Sequence, residues 1–209
     1  MGTLKDFDSQ FRSSGFKLIA GTDEAGRGPL AGPVVIAAVI LPETYDNFEI
    51  NDSKKLSENT RLRLAKEIKS VAVCHTIITL GVDIIEELNI LKASLHGMKL
   101  AIESLTPTPH IVLVDGNKQF SSSILQKAIV KGDGTSLSIA AASILAKVER
   151  DRIMTEIHSA FPEYGWEKNK GYATASHRRA IVKYGASPHH RPTFLRKLYA
   201  EQQQLEIFK

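Results

Sequence analysis

A short polar segment, Asp-Glu-Ala-Gly-Arg-Gly at residues 23–28, separates two apolar runs near the start of the chain. Residues 16–22 and 34–41 contain many apolar and β-branched side chains, so a β-strand is predicted on each side of the segment. Glycine-proline pairs interrupt the connection, which favours an antiparallel pair of strands. The first strand therefore leads directly into two adjacent carboxylates, Asp23 and Glu24, and a glycine-arginine-glycine turn follows them.

Beyond this pair, strand and helix patterns alternate along the chain. Strands are predicted at residues 71–80, 111–114 and 128–130, and helices at 57–70, from 82 to about 105, from 136 past 152, at 175–183 and after 192. The wholly apolar run at 111–114 is typical of a strand covered on both faces in a parallel sheet. This order predicts an α/β fold. We expect one domain over residues 1–209, with residues 161–209 as its helical C-terminal part.

Two of the predicted helices carry specific packing expectations. The helix at 57–70 is expected to bury Leu62, Ala65 and Ile68, which share one face. In the helix that begins near residue 136, the Ala-Ala-Ala-Ser sequence at 140–143 is small enough to approach the sheet closely.

Composition restricts the classes of partner and compartment. The 209 residues carry a formal net charge of +4 with an isoelectric point near 9.1, which favours a polyanionic partner such as a nucleic acid. The one cysteine, Cys74, excludes an internal disulfide and is expected to be a small buried side chain in a reducing compartment. The first residues lack the apolar core of a signal peptide, and no apolar run reaches membrane-spanning length. These features predict a soluble, cytoplasmic protein.

Three aspartates share a sequence context: Asp23, Asp115 and Asp133 each follow an apolar run directly or nearly, and a glycine follows each of them within three residues. If the strands that lead into Asp23 and Asp115 are parallel neighbours, the two carboxylates lie side by side where ligands bind in open α/β sheets. Asp133 would join them from the loop before a helix, and Glu24 adds a fourth carboxylate. Because four converging carboxylates repel one another, the pattern predicts a site for Mg²⁺ or Mn²⁺ ions that act on a phosphodiester.

Simpler explanations stay open for each of these residues alone. Asp-Gly pairs are common in ordinary turns, and Asp23 could cap the end of a strand. The histidines and the one cysteine lack the spacing of a zinc site. We interpret His189 and His190 as loop residues, and the sequence leaves their role open. It is the joint occurrence of the carboxylates that favours metal chemistry.

The glycines after Glu24 suggest a second kind of site. Gly26, Gly28 and Gly32 are spaced G-x-G-x-x-x-G, which differs from the dinucleotide-binding pattern G-x-G-x-x-G. They also lead into a β-branched run where that pattern requires a helix, and the sequence contains no P-loop motif. A better interpretation is a turn whose backbone approaches a sugar-phosphate closely, since glycine has no Cβ. Arg27 adds a cation with bidentate geometry that suits a phosphate.

With these motifs identified, the sequence resembles bacterial ribonuclease HII, the type 2 ribonuclease H family. The segment at 23–34 is the most specific part of the resemblance. It continues at residues 51–56, 114–117, 131–133, 138–151, 169–172 and 187–191, and so covers nearly the whole chain. The resemblance implies an RNase H-like fold, with a central mixed sheet flanked by helices and a helical C-terminal region.

The resemblance implies an endoribonuclease that cleaves the RNA strand of RNA–DNA hybrids. It also implies cleavage on the 5′ side of single ribonucleotides in duplex DNA, which leaves a 3′-hydroxyl and a 5′-phosphate. Asp23, Glu24, Asp115 and Asp133 would be catalytic residues and ligands of Mn²⁺ or Mg²⁺, with two ions present beside the substrate. The alternative is a non-catalytic binder of RNA–DNA hybrids with the same fold, but such a protein need not keep all four carboxylates.

The same resemblance implies contacts with the ribonucleotide. Gly26, Arg27 and Gly28 would recognise its 2′-hydroxyl with main-chain and side-chain groups, and Tyr172 would lie on the sugar next to the junction. An aromatic ring flanked by glycine and lysine can stack while its hydroxyl forms a hydrogen bond. A packing role for Tyr172 stays open as the alternative.

Further contacts with the nucleic-acid backbone are expected from four residues. Ser53 and Lys54 are expected to contact phosphates. Lys147 and Arg150 lie one helical turn apart and could hold the scissile strand from one face. For Arg150, a solvent-exposed helix face paired with the following aspartate is an equal alternative.

The C-terminal tail suggests a protein partner. Residues 202–208 fit a sliding-clamp motif loosely. The alternative is a helix end whose Leu205 and Phe208 pack on the body of the protein. We otherwise expect a monomer.

Overall fold

The computed structural model describes residues 3–51 and 53–207. Its helices and strands follow one another in the order α1 (Leu4–Ser13), β1 (Ile19–Ala25), β2 (Val34–Ile40), α2 (Glu58–Val71), β3 (Cys74–Leu80), α3 (Val82–Leu88), α4 (Ile90–Glu103), β4 (Ile111–Asp115), β5 (Leu125–Ile129), α5 (Leu137–Ala160), α6 (Trp166–Asn169), α7 (Ala175–Tyr184) and α8 (Pro192–Ile207). Within the described residues, no helix is both long and apolar enough to cross a membrane.

The strands form one mixed sheet in the order β3-β2-β1-β4-β5. β1 pairs antiparallel with β2 and parallel with β4, and β4 pairs parallel with β5. The predicted antiparallel first pair is therefore confirmed, as is the α/β class with helices on the sheet, and the parallel β1–β4 pairing meets the condition set for bringing Asp23 and Asp115 together. All of β2 and most of β4 are buried, which explains their nearly continuous apolar sequences.

The described residues group into two compact units. Unit 1 contains residues 3–25, 35–79 and 94–149, and unit 2 contains residues 26–34, 80–93 and 150–207. The predicted helical C-terminal region is confirmed by α6, α7 and α8, all of which belong to unit 2. One domain over residues 1–209 stays a prediction.

Unit 1 packs α2 and α5 against the sheet. Ile68 of α2, Ala140 of α5 and Val39 of β2 are buried in one apolar cluster. Gly21 of β1 makes the closest approach, because a Cβ at this position would lie 2.1 Å from the backbone carbonyl carbon of Ser138. Only glycine fits this contact, which brings the beginning of α5 directly against β1.

A buried carboxylate from α1 fixes the beginning of α5. Asp8 accepts hydrogen bonds from the hydroxyls of Ser136 (2.6 Å) and Ser138 (2.7 Å) and from the Ser138 N–H (2.9 Å). Burial raises the pKa of Asp8, and the hydrogen bonds from the serines oppose that rise. A carboxylate is favourable here because the first N–H groups of a helix lack partners within the helix.

Unit 2 has an apolar core of its own. Met154 of α5, Trp166 of α6, Ile181 of α7 and Leu195 of α8 are buried together. The helices of the C-terminal region are therefore held by packing among themselves and with the segment 26–34, which belongs to the same unit.

Three predicted strand boundaries are wrong. β1 runs from Ile19 to Ala25, so the two adjacent carboxylates lie inside the strand rather than after it. β3 begins at Cys74, because α2 continues to Val71. β5 is Leu125–Ile129 rather than 128–130, since an edge strand that alternates exposed and half-buried residues gives only a weak apolar signal.

Two helix predictions and the cysteine prediction also need correction. Leu62 is 43% exposed, and α2 instead buries Leu64 beside Ala65 and Ile68. The single helix predicted after Gly81 is two helices, because Asn89 has a left-handed φ of 64° and its side chain accepts from the first N–H groups of α4. Cys74 is half-buried rather than buried.

Candidate active site

Asp23 and Asp115 lie on neighbouring parallel strands of unit 1. The register pairs Thr22 of β1 with Val114 of β4, and each aspartate is the next residue of its strand. The Asp23 carboxylate is 5% exposed and accepts a hydrogen bond of 2.7 Å from the N–H of Glu24. The parallel pairing thus brings two of the predicted carboxylates together.

Asp133 joins them from the short 3₁₀ helix Gly132–Gly134 that precedes α5. The Gly132 N–H donates to Asp115 Oδ1 at 2.7 Å, which ties this turn to the end of β4. Gly132 is tightly enclosed, because a Cβ here would lie 2.6 Å from Ile139 Cδ1 and 3.1 Å from Asp115 Oδ1. The close packing holds Asp133 beside the other carboxylates.

Mutual repulsion links all four carboxylates. The pKa of Asp23 is raised well above its ordinary value by burial first, and then by the negative charges of Glu24 and Asp115. The pKa of Asp115 is raised by burial and by Asp133, while the N–H of Gly132 opposes the rise. A cluster that repels itself in this way favours a bound cation.

Ser143 of α5 orients the Asp23 carboxylate. A hydrogen bond from its side chain lowers the pKa of Asp23 against the larger effect of burial. The Ser143 and Ser53 hydroxyl oxygens lie 2.9 Å apart, and Ser53 is buried. Because Ser143 has one hydroxyl proton and gives it to Asp23, Ser53 donates to Ser143. No sequence pattern predicts this support, and a contact between Ser53 and a phosphate stays a prediction.

Lys54 supplies positive charge to the cluster. Its Nζ lies 3.6 Å from Asp133 Oδ2, and 80% of its side chain is exposed. The positive charge also lowers the pKa of Asp115 against the effect of burial. An exposed cation that already approaches a carboxylate can contact a phosphate from the same position. Asp52, beside this segment, lies outside the described residues.

The donor atoms of the cluster suit a hard divalent ion. All four side chains offer carboxylate oxygens, which are the ligands that Mg²⁺ and Mn²⁺ prefer. Within residues 3–51 and 53–207, no group of three or more His, Cys, Asp or Glu side chains is placed to hold a metal ion by itself. An open set is compatible with Mg²⁺, since this ion commonly takes one or two carboxylates and completes its shell with water and substrate phosphates.

The Gly26–Gly28 turn belongs to unit 2 and is held there by Arg191. This arginine is fully buried, and its guanidinium donates to the carbonyl oxygens of Gly26 (2.7 Å), Arg27 (3.1 Å), Pro29 (2.9 Å) and Gly32 (3.0 and 2.8 Å). Five N–H donors in a fixed plane are matched to a ring of carbonyl groups. Arg191 therefore fixes the turn from its buried side, while Arg27 and Gly28 are exposed to solvent.

Arg150 of α5 is a second buried guanidinium under the same segment. It donates to the carbonyl oxygens of Pro33 (3.0 Å), Ala31 (3.1 Å) and Lys170 (2.9 Å). Both predictions for Arg150 are wrong: it lies neither on a face open to the scissile strand nor on a solvent-exposed face. A Cβ at Gly26, whose φ is +102°, would lie 2.1 Å from Arg150 Nε, so glycine is required there.

The two buried arginines are solvated mainly by carbonyl dipoles. Burial lowers the pKa of both guanidiniums, and repulsion from Arg150 contributes to lowering that of Arg191 to about 9. Both residues stay charged at neutral pH. Sequence reasoning misses this role because buried arginine is rare. The signal that could have found it is the position of Arg191 at the end of a loop, directly before the beginning of α8.

Tyr172 lies beside the turn. Its side chain is 45% exposed, and its Cε1 lies 3.9 Å from where a Cβ on Gly28 would be. The Arg150 guanidinium lies 5.9 Å from the centre of its ring. Unit 2 thus brings together two predicted contacts with the ribonucleotide, Gly28 and Tyr172. Lys147 is a half-buried residue of α5 within unit 1, and its contact with the scissile strand stays a prediction.

Comparison with known proteins decides the family. The sequence pattern of the ribonuclease HII family matches residues 20–202. A ribonuclease HII of Geotalea daltonii is 50% identical over 192 residues, which cover 92% of this chain and 89% of the relative. One of Flavobacterium psychrophilum is 47% identical over 91% of this chain and 95% of the relative. The chain belongs to the ribonuclease HII family.

Solved structures agree with the fold of a ribonuclease HII. The ribonuclease H2 of Pyrococcus horikoshii superposes with a TM-score of 0.73 at 25% identity, covering 88% of this chain and 98% of that one. The ribonuclease HII of Archaeoglobus fulgidus, solved in complex with PCNA, superposes with a TM-score of 0.70 at 27% identity, covering 86% and 96%. The predicted RNase H-like fold is confirmed, and the protein is a ribonuclease H enzyme of type 2.

Proposed function

We propose that this ribonuclease HII cleaves the RNA strand of RNA–DNA hybrids and also cuts on the 5′ side of single ribonucleotides in duplex DNA. A water oxygen attacks the phosphorus, the bond from phosphorus to the 3′ oxygen breaks, and that oxygen takes up a proton. The products are a 3′-hydroxyl and a 5′-phosphate. The observation that carries the proposal is the electrostatic coupling of Asp23 with Glu24 and Asp115, and of Asp115 with Asp133.

We assign the four carboxylates as ligands of two divalent ions, Mg²⁺ or Mn²⁺. When bound, such ions stabilise the charge on the attacking and leaving oxygens of a phosphodiester. Ser143 orients Asp23, and the Gly132 N–H orients Asp115, so neither carboxylate has to reorganise when the substrate arrives. A ribonuclease HIII with this fold, 19% identical, was solved with Mn²⁺. At that identity it supports the fold alone, so the assignment rests on the carboxylates.

Recognition of the ribonucleotide is assigned to the Gly26–Gly28 turn and Tyr172. The 2′-hydroxyl distinguishes RNA from DNA, and it can be both donor and acceptor. The turn supplies backbone groups without Cβ atoms, and the exposed ring of Tyr172 beside Gly28 can stack on the neighbouring sugar. Arg150 and Arg191 hold these groups in place, which reduces the cost of ordering them on binding.

A duplex DNA that contains one ribonucleotide tests the proposal most simply. Incubated with Mg²⁺ or Mn²⁺, it should be cut only on the 5′ side of the ribonucleotide, and chelator should stop the reaction. An all-DNA duplex of the same sequence is the matched control and should remain intact. Cleavage on the 3′ side, or cleavage that persists in chelator, would contradict the assigned mechanism.

We also propose that the C-terminal tail at 202–208 binds a sliding clamp. Support comes from the A. fulgidus relative, which was solved with PCNA. The side chains of these residues lie outside the described part of the structure, so the packing alternative for Leu205 and Phe208 stays open. Titration of a bacterial sliding clamp with the full chain and with a chain lacking residues 202–209 tests this contact; equal affinity of the two would refute it.

A further inference from the structure

A buried network of side chains in unit 2 ends on the backbone of Tyr172. His177 of α7 is fully buried, and its Nδ1 lies 2.9 Å from the Tyr172 carbonyl oxygen. On the other side of the ring, His177 Nε2 lies 2.9 Å from Trp166 Nε1 and 3.1 Å from His190 Nε2. The network therefore connects three aromatic side chains of the core to the loop that carries Tyr172.

The partners fix the proton positions of both histidines. Trp166 Nε1 can only donate, so His177 Nε2 is an acceptor and its ring proton is on Nδ1. The His177 Nδ1–H therefore donates to the Tyr172 carbonyl. The Ser187 backbone N–H donates to His190 Nδ1 at 2.9 Å, so the proton of His190 is on Nε2 and points to His177. His177 Nε2 is shared by two donors, and each histidine is neutral.

The Tyr172 backbone N–H donates to the Asn169 carbonyl at 2.8 Å, and the exposed Tyr172 ring has its centre 5.9 Å from the Arg150 guanidinium. The ring projects from a loop in which Lys170 and Gly171 both have left-handed φ angles, of 49° and 85°. The Tyr172 carbonyl accepts from the Thr174 N–H at 2.8 Å and from His177. Thr174 belongs to the same loop, so His177 is the side chain that ties this carbonyl to the helical core.

We propose that His177 is a positioning residue that sets the place of the Tyr172 ring over the Gly28 turn, and thereby the efficiency of cleavage at a single ribonucleotide. The inference rests on the proposed role of Tyr172. It adds a residue that does not touch the substrate and acts only through the hydrogen bond to the Tyr172 carbonyl. His190 and Trp166 support it by holding the ring of His177 in one tautomer.

Two conservative variants separate positioning from core packing. In His177→Asn, the amide nitrogen takes the place of Nδ1 and can still donate to the Tyr172 carbonyl, but Trp166 and His190 lose their acceptor. In His177→Gln, the side-chain oxygen can reach the place of Nε2 and accept from Trp166, but the donor to Tyr172 is lost. The two variants therefore keep opposite halves of the network.

We expect the two variants to rank in opposite orders for melting temperature and for cleavage. His177→Asn should melt at a lower temperature than His177→Gln yet keep cleavage of the one-ribonucleotide duplex close to wild type. His177→Gln should be the more stable and should lose cleavage by roughly 10- to 100-fold, the effect of a displaced contact at a reacting phosphate. Equal losses in the two variants, or activity that follows melting temperature, would overturn the positioning role.

Tyr172→Ala, measured beside them, separates the inference from its premise. If this variant is impaired while the two His177 variants behave alike, the positioning role is wrong and the role of Tyr172 stands. If Tyr172→Ala cleaves like wild type, Tyr172 is not a substrate contact, and both its proposed role and the positioning role of His177 are wrong.

A measurement on the unsubstituted protein covers the case in which a His177 variant does not fold. Protonated His177 keeps its Nδ1–H, but its new Nε2–H would face the N–H groups of Trp166 and His190. This clash should expel the ring from its place, so the hydrogen bond to the Tyr172 carbonyl should be lost in acid. The titratable groups that face His177 are His190, at 3.1 Å, and the Tyr164 ring, 6.2 Å away between ring centres. Burial lowers the pKa of both histidines, and His189 lowers that of His190 further.

The quantity to follow is the ratio of cleavage rates, wild type over Tyr172→Ala, on the one-ribonucleotide duplex. Titration of the carboxylates affects both proteins and cancels in this ratio. The ratio should be constant above about pH 6.5 and fall toward one in acid, where histidines that were neutral take up a proton. A ratio that is independent of pH down to the limit of folding would contradict the inference.

Discussion

Arg191 donates two hydrogen bonds to the carbonyl oxygen of Gly32, at 3.0 and 2.8 Å, from a fully buried position. The same guanidinium also donates to the carbonyls of Gly26 and Arg27, so one side chain fixes the shape of the Gly26–Gly28 turn. Charge alone does not explain the choice of residue, because only a planar group with five donors can serve several carbonyls at once.

Arg191→Lys should therefore damage the protein although it keeps the charge. Lysine has three donors on one nitrogen, so several buried carbonyl groups would lose their partners at about 1–3 kcal/mol each. We expect a clear fall in melting temperature and weaker cleavage at a single ribonucleotide. Arg196→Lys, at an exposed position of α8, is the matched control and should melt like wild type. Equal melting of the two variants would mean that the carbonyl contacts contribute little.

The buried histidines make stability dependent on pH. Burial, with repulsion from His177, lowers the pKa of His190 to about 4, whereas an unfolded histidine has a pKa near 6.5. Above pH 6.5 the residue is neutral in both states. Between pH 6.5 and pH 4 the unfolded chain binds a proton that the folded protein excludes. As the pH is lowered through this range, the free energy of unfolding therefore falls by up to roughly 1.4 kcal/mol per pH unit.

Denaturant unfolding at several pH values between 4 and 7 measures the slope of the free energy of unfolding against pH. His190→Asn can still accept from the Ser187 N–H and has no titrating group, so its slope should be shallower than that of wild type. A variant with the wild-type slope would show that other groups carry the acid sensitivity.

Tyr172→Ala should lower cleavage of the one-ribonucleotide duplex strongly, because an aromatic stack contributes about 1–3 kcal/mol. The fold should survive, since 45% of the side chain is exposed. Tyr172→Phe keeps the stack and should lose less activity. If Tyr172→Ala cleaves this duplex and a continuous hybrid equally well, at rates near those of wild type, Tyr172 is a packing residue rather than a substrate contact.

A phosphate contact of Lys54 should be visible in the salt dependence of the affinity for nucleic acid. Each phosphate contact releases counterions, so Lys54→Ala should reduce the slope of log affinity against log salt by about one. The measurement uses an RNA–DNA hybrid and a non-cleaving Asp23→Asn background. Lys55→Ala, at the neighbouring exposed position, is the control. An unchanged slope for Lys54→Ala would place it outside the interface.

The sequence signals that point to the carboxylate cluster are local. A buried strand followed by Asp-Gly draws attention to Asp115, and the wholly apolar run before it predicts a strand in a parallel sheet, whereas the pairing of β1 with β4 is seen only in the fold. The supporting groups are less accessible to sequence reasoning. The pairing of Ser53 with Ser143 joins residues 90 positions apart, and no periodicity reports it.

The same limit explains the wrong interpretation of Arg150. Helical spacing places it on one face with Lys147, but spacing does not say whether that face is covered. In the folded chain the carbonyls of Ala31, Pro33 and Lys170 surround its guanidinium, and these come from loops far away in sequence. Tertiary contacts of this kind determine which residues are buried, and a sequence pattern does not report them. The hydrogen bond from His177 to the Tyr172 carbonyl is missed for the same reason.

We assign Asp23 and Asp115 as metal ligands rather than as a strand cap and a turn residue. In chelator, Asp23→Asn should be at least as stable as wild type, because it removes a buried charge that Glu24 and Asp115 repel. This outcome would exclude misfolding as the cause of any loss of activity.

The decisive measurement is cleavage of the one-ribonucleotide duplex in Mg²⁺ by wild type, Asp23→Asn and Asp115→Asn, with binding of the same duplex measured in parallel. We expect both variants to bind the duplex, since Lys54 and the other cations assigned to phosphate contacts are unchanged, and neither variant to cleave it. Cleavage by either variant at a rate near that of wild type would show that the assigned metal site is wrong.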